Sequence, residues 1–144
     1  MEVRSDRTRS PHGSESYFNG GAMYYSAITA TFSAAHALRN YQGKCERLHG
    51  HNWKIEVRTA TETLDAAGMG LDFTVLRERL GAVLAHLDHR FLNDLEPFQA
   101  CSPSSELIAR HIFERLEPAV NDGRVQLVAV KVWESEGSWA EFQP

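Results

Sequence analysis

Two alternating runs of residues constrain this chain more than any other feature. From Tyr24 to His36 the sequence is rich in Tyr, Thr, Ile and Phe, and a period of two puts Ile28, Ala30, Phe32, Ala34 and His36 on one side. From Asn52 to Thr61 the alternation returns, with His51, Trp53, Ile55 and Val57 opposed to Asn52, Lys54, Glu56 and Arg58. Residues two apart in a strand share a face. Both predicted strands are therefore apolar on the face that carries a histidine.

The rest of the chain supplies two helices and a hairpin. Gly68 and Gly70 mark a turn, Asp72 is a predicted helix N-cap, and Leu76, Leu80, Val83, Leu84 and Leu87 recur at helical spacing. That helix ends in Asp88-His89. Ser102 before Pro103 predicts a second N-cap with proline at the first helical position, and Ile108, Ile112, Phe113 and Leu116 continue as a stripe to Pro118. Val125 to Glu134 is β-branched, with Val128, Val130, Val132 and Glu134 on one face, and Gly137 separates it from Ser138 to Phe142. The order β-β-α-α-β-β predicts an α+β fold, an antiparallel sheet with both helices on one face.

A length of 144 residues suits one domain, and 42% hydrophobic content with 24% charge is that of a globular chain able to bury a core without disulfides. The domain is expected over residues 23–144. Residues 1–22 mix Arg4, Arg7 and Arg9 with Glu, Asp, Ser, Gly and Pro and lack periodicity, which reads as a disordered tail. No run approaches the ~20 apolar residues of a membrane span, and a net charge of -4 supplies no broad cationic field for nucleic acid or an anionic membrane. A cytoplasmic protein is expected, with neither partner. Cys45 and Cys101 are too few for a disulfide framework.

His49-Gly50-His51 is the most informative local signal, since a strand projects its two imidazoles to one side where they can share a metal ion. His36 offers a third. Three neutral imidazoles favour Zn2+ over oxygen-seeking calcium or magnesium and leave a fourth position for water or substrate. The bland alternative is three ordinary histidines close in sequence. Cys45, four residues before His49, reads equally as a fourth zinc ligand closing a structural site or as a catalytic thiolate. Asp88 and His89 form an oriented acid/base pair only if the chain turns there, because neighbours on a helix point apart. Glu134 ends an otherwise apolar strand face, where a carboxylate needs a partner. Cys101 is most simply a packing residue.

Six ordered blocks carry a resemblance. They are Phe32-Ser33-Ala34-Ala35-His36, Cys45-Glu46-Arg47-Leu48-His49-Gly50-His51, Gly68-Met69-Gly70-Leu71-Asp72-Phe73, Leu87-Asp88-His89 with Leu92-Asn93, Ser102-Pro103-Ser104-Ser105-Glu106, and Val132-Trp133-Glu134. From Tyr24 to Phe142 the chain resembles the family of 6-pyruvoyltetrahydropterin and 6-carboxytetrahydropterin synthases. The resemblance implies the tunnelling fold, a four-stranded antiparallel sheet with two helices. It also implies a homohexamer built as a dimer of trimers, with active sites at subunit interfaces. It puts His36, His49 and His51 on zinc, Cys45 with Asp88 and His89 in a catalytic triad, and Glu134 on the pterin ring, with Ser105 and Glu106 also binding substrate.

The short Cys-x-x-x-His-Gly-His spacing resembles the bacterial carboxytetrahydropterin branch of the 7-deazaguanine (queuosine) pathway. Ser104-Ser105 and Trp133 depart from the commoner residues of the family, which bears on substrate more than on fold. The implied activity is a lyase converting 7,8-dihydroneopterin triphosphate to 6-carboxy-5,6,7,8-tetrahydropterin with release of acetaldehyde and triphosphate. Two alternatives stand beside it. One is the pyruvoyl product of biopterin synthesis; the other is a non-catalytic zinc- or pterin-binding module with Cys45 as a ligand. Lys44, Arg47, Lys54 and Arg58 are the basic residues close by for the triphosphate.

Overall fold

The alternating runs form β1 (Tyr24–His36) and β2 (His49–Thr61), paired antiparallel without interruption from Tyr24 opposite Thr61 to His36 opposite His49. The computed structural model describes residues 21–43 and 47–144, so Cys45 and the expected tail up to residue 20 lie outside the described residues. The inward face of the pair is the predicted one: Ile28, Phe32, Ala34 and His36 from β1 and Trp53, Ile55 and Val57 from β2 are buried. Full burial of each large apolar side chain contributes roughly 1.5–3 kcal/mol.

The remaining elements are α1 (Phe73–Leu84), β3 (Arg90–Phe91), α2 (Ser105–Val120), β4 (Gln126–Ser135) and β5 (Ser138–Phe142). The sheet order is β3-β1-β2-β4-β5. Four long strands are antiparallel, as expected. The fifth, β3, adds two residues parallel to β1, with Arg90 opposite Ala34 and Phe91 opposite Ala35. So short a strand has no periodicity to read. It forms because the chain leaving α1 is turned back onto the free edge of β1.

Both helices pack on the histidine-bearing face of the sheet. Asp72 caps α1 by accepting from the Thr74 amide at 2.8 Å, and Leu76, Leu80 and Leu84 point into the core. The expected cap of α2 is corrected by two residues. Ser104, not Ser102, accepts from the Leu107 amide at 3.3 Å, and Pro103 precedes the helix. Ser102 instead uses its hydroxyl on Arg39, accepting from its amide at 2.7 Å and donating to its carbonyl at 3.1 Å. Helix α2 continues past Pro118 to Val120 and buries Ile108, Ile112, Phe113 and Leu116.

Strand β4 holds one further departure. Thr59 faces Leu127 while Arg58 faces Ala129, so Val128 is an extra residue in a β-bulge. An extra residue reverses the in-out phase of everything beyond it. Leu127 is therefore buried before the bulge and Val130 and Val132 after it, and Val128 leaves the face on which the plain alternation put it. Glu134 falls on the inward phase.

Candidate metal centre

The hairpin register does most of the assembly. His36 is directly opposite His49, and Ala34 is opposite His51, so all three imidazoles leave one face of one strand pair. Their rings meet edge to face, with centroids 4.5 Å apart for His36 and His49, 5.1 Å for His36 and His51, and 4.7 Å for His49 and His51. Fully buried Trp53 forms the floor, 4.9 Å from the His36 ring and 5.0 Å from that of His51. Its indole N–H donates to the Ala34 carbonyl at 3.3 Å.

Two backbone carbonyls set the protonation of the site. His36 Nδ1 is 2.8 Å from the Pro103 carbonyl and His49 Nδ1 is 2.6 Å from the Arg47 carbonyl. A carbonyl only accepts, so both Nδ1 atoms carry the proton, and in the neutral rings each Nε2 bears a lone pair. Those Nε2 atoms face each other at 3.0 Å. Burial holds His36 below the usual histidine range; the Pro103 carbonyl and Glu134 oppose that shift and the neighbouring imidazoles add to it. Burial likewise lowers His51, against the pull of Glu134. Neutral rings with opposed lone pairs repel unless an electrophile accepts both.

Glu134 completes the cluster. Its Oε1 lies 3.0 Å from His51 Nε2, 3.9 Å from His36 Nε2 and 4.0 Å from His49 Nε2. His51 Nε2 is shielded from solvent and makes no well-formed hydrogen bond. Ser105, the first residue of α2, reaches the other carboxylate oxygen at 3.4 Å. The four ligand atoms lie within 4.8 Å of one another. Three imidazole nitrogens, two of them on rings held from behind by a carbonyl, and one carboxylate make a donor set that fits zinc.

Asp88 and His89 come together at a different place. The chain turns at His89, whose φ is +56°, and the His89 ring Nδ1 pairs with Asp88 Oδ2 at 2.9 Å. The turn is pinned to β1: Ser33 donates its amide to Asp88 Oδ1 at 2.9 Å and accepts from the His89 amide at 2.6 Å. The Ser33 amide, then His89, hold the Asp88 carboxyl below the usual carboxylate range. Ser33 is three residues before His36, about 10 Å along the strand. Among the described residues no hydrogen bond or ion pair joins Asp88 or His89 to the imidazole cluster, and the His89 side chain is 81% exposed. His51, Asn52, Ser33 and His89 line one open cleft of about 530 Å³.

Glu106 is exposed in the first turn of α2. Lys54 lies on the outer sheet face with its ammonium 4.7 Å from the Trp133 ring centre, and Arg58 on that face sits 5.8 Å from the ring centre of Tyr25. Cys101, half-buried, donates weakly to the Pro97 carbonyl.

Asn93 and Pro103 stand in the blocks that carry the resemblance, but their support of His36 was not visible in the sequence. Asn93 grips the backbone of the next residue, accepting from the Ala37 amide at 2.9 Å and donating to its carbonyl at 2.8 Å. The Arg39 guanidinium donates to the carbonyls of Phe98 and Cys101, both at 2.5 Å. These contacts bind the segment before α2 to the end of β1 and so present the Pro103 carbonyl to His36. A carbonyl carries no sequence signal. Trp53 did have one, being two residues beyond His51 on the same face.

Known proteins share this arrangement of chain. The sequence is 41% identical over 117 residues to a 6-carboxy-5,6,7,8-tetrahydropterin synthase of Synechocystis sp., covering 78% of this chain and 87% of the relative. It is 38% identical over 117 residues to a protein named a putative enzyme of the same kind in Archaeoglobus fulgidus, covering 81% and 92%. The structure of Caenorhabditis elegans 6-pyruvoyl tetrahydropterin synthase superposes with a TM-score of 0.77 at 27% identity, covering 85% of this chain and 96% of that one. Residues 26–144 match the family described as 6-pyruvoyl tetrahydropterin synthase, and the chain belongs to that family.

Proposed function

We propose that this pterin synthase is a zinc-dependent lyase that converts 7,8-dihydroneopterin triphosphate to 6-carboxy-5,6,7,8-tetrahydropterin, releasing acetaldehyde and triphosphate, in 7-deazaguanine (queuosine) biosynthesis in the cytoplasm. The observation that carries the reading is the convergence of the His36, His49 and His51 rings with Glu134, the His36 and His49 Nε2 lone pairs facing each other at 3.0 Å. The names of the Synechocystis and Archaeoglobus relatives favour the carboxy product over the pyruvoyl one. Zinc bound there would stabilise negative charge developing on the substrate side-chain oxygens and so acidify the neighbouring C–H bonds.

The protein groups then divide the remaining work. Glu134 accepts paired hydrogen bonds from the pterin 2-amino and ring N–H donors, with Ser105 orienting its carboxylate; Glu106, at the same helix start, contributes to substrate binding. Cys45 takes a carbon-bound proton as thiolate, and His89, steadied by Asp88, returns one. About 10 Å of strand between Ser33 and His36, and the exposure of His89, favour a pair that serves the site of a neighbouring subunit. That is a reason to propose a homo-oligomer, the dimer of trimers being what the family resemblance implies, and the folded unit proposed for it is residues 23–144, with 1–22 as a tail. Among the described residues no helix is long and apolar enough to cross a membrane.

Mass spectrometry of the product formed by purified protein from dihydroneopterin triphosphate tests the reading. Carboxytetrahydropterin with stoichiometric acetaldehyde is expected, and a pyruvoyl product would refute it. A Cys45→Ala variant should keep its metal and lose turnover. Loss of metal and fold together would instead make Cys45 a structural ligand.

A further inference from the structure

We infer that Glu134 is the fourth ligand of the metal in the substrate-free protein, and that substrate binding exchanges this bond for the pterin contact. The inference rests on the metal reading above and adds a second, earlier role for the same carboxylate.

The geometry points to it. Metal–nitrogen and metal–oxygen bonds of about 2.0–2.1 Å at tetrahedral angles put neighbouring ligand atoms about 3.3 Å apart. The observed separations along this cluster are 3.0 Å between His36 and His49 Nε2, and 3.0, 3.9 and 4.0 Å from Glu134 Oε1 to the three Nε2 atoms. Each is within about 0.7 Å of that tetrahedral edge. A carboxylate serving only to hold a ligand's N–H edge has no need to aim one oxygen at three imidazoles. Here a single oxygen does so, while the other is turned to the Ser105 hydroxyl at 3.4 Å, which leaves the group suited to one-oxygen coordination. His51 Nε2, shielded from solvent and 3.0 Å from that oxygen without a well-formed hydrogen bond, marks where a cation would sit between them. Glu134 is 30% exposed and so has room to turn away.

One oxygen cannot bind the metal and the pterin amino edge at once. Substrate arrival would exchange Oε1 for a substrate oxygen at the ion, and the carboxylate would keep its charge while accepting the ring donors. No proton or electron changes hands. The device would link recognition of the ring to opening of the metal, so that a molecule lacking the donor edge meets a closed site.

Cobalt(II) loaded into the full-length chain without pterin tests this. The wild-type protein should give a four-coordinate spectrum without a thiolate charge-transfer band and without exchangeable metal-bound water. Glu134→Gln and Glu134→Ala, checked for fold by circular dichroism, should bind cobalt at least about tenfold more weakly in a chelator competition. Glu134→Ala should also admit azide or water to the ion. Bare pterin, which has the donor edge but no side-chain oxygens, should shift the wild-type spectrum toward that of Glu134→Ala. Cobalt affinity within twofold of wild type in both variants, with unchanged spectra, would overturn the inference, as would a thiolate band in the wild type. A wild-type chain that takes up no cobalt would overturn the metal reading itself, a distinct result.

Discussion

Replacing Asn93 by alanine should destabilise the protein by about 2–4 kcal/mol, although the residue touches neither ligand nor substrate. Asn93 is 6% exposed and makes two bonds to the backbone of one residue, accepting from the Ala37 amide at 2.9 Å and donating to its carbonyl at 2.8 Å. Each ordinary hydrogen bond contributes about 1 kcal/mol net, and each buried group left without a partner costs about 1–3 kcal/mol. The Ala37 backbone is only partly buried, so the low end of that range applies to its two groups and sets the total. Asn93→Asp keeps the acceptor but opposes a second acceptor to the Ala37 carbonyl, and should recover less than half of the loss. Because Ala37 follows His36, both variants should also bind metal roughly tenfold more weakly, the usual effect of loosening a ligand's support. Urea unfolding of the metal-free protein at fixed chain concentration measures the first effect, and a chelator competition the second. A shift below 1 kcal/mol at unchanged slope would refute the claim that this backbone clamp fixes the end of β1.

Other outcomes follow from the same contacts. Ser104→Ala should cost about 1 kcal/mol by removing the cap of α2, read in thermal melting, whereas Ser102→Ala should act on the Arg39 segment and weaken metal binding. Trp53→Ala should cost about 3–5 kcal/mol and release the histidine rings from their floor, seen as lost melting temperature and lost cobalt binding. His111 is held below the usual histidine range first by burial and then by Arg115 and His86, with Glu114 opposing. Its neutral contribution to stability is present above the unfolded value near 6.5 and is lost as pH falls through the lower folded value. The stability difference between wild type and His111→Leu should therefore move in favour of the variant on acidification, and a difference independent of pH from 7.5 to 5 would contradict this. Chelation of bound metal should lower the melting temperature, since an ion at a hundred times its dissociation constant stabilises by about 2.7 kcal/mol.

Sequence pattern alone reached the two long strands, their buried faces, both helices and the three histidines of the cluster, though not Glu134 as its fourth member, because the former depend on period and on residue type. Ile28 to His36 and His51 to Val57 alternate clearly enough to assign a side to each residue, and His-Gly-His can only present both rings to that side. Which serine caps α2 was not legible, since Ser102 and Ser104 both precede a helical stripe and only the path of the chain decides which hydroxyl meets the Leu107 amide. Strand β3 was not legible either, because two residues have no period. The bulge at Val128 shows how local pattern and packing divide the labour. Leu127 and Val130 are both buried, which no simple alternation allows, and the extra residue lets β4 satisfy the core early and still deliver Glu134 inward.

What the sequence determined by itself is therefore the chemistry on offer and the face that bears it. Tertiary structure decided the rest: the opposition of His36 and His49 across the hairpin, the arrival of the Pro103 carbonyl behind His36 from 67 positions away, and the aim of one Glu134 oxygen at three imidazoles. The reason is physical. Periodicity reports which side of an element avoids water, a local property, whereas coordination requires atoms from distant segments to agree in position within about an ångström, and only close packing of the whole chain sets that.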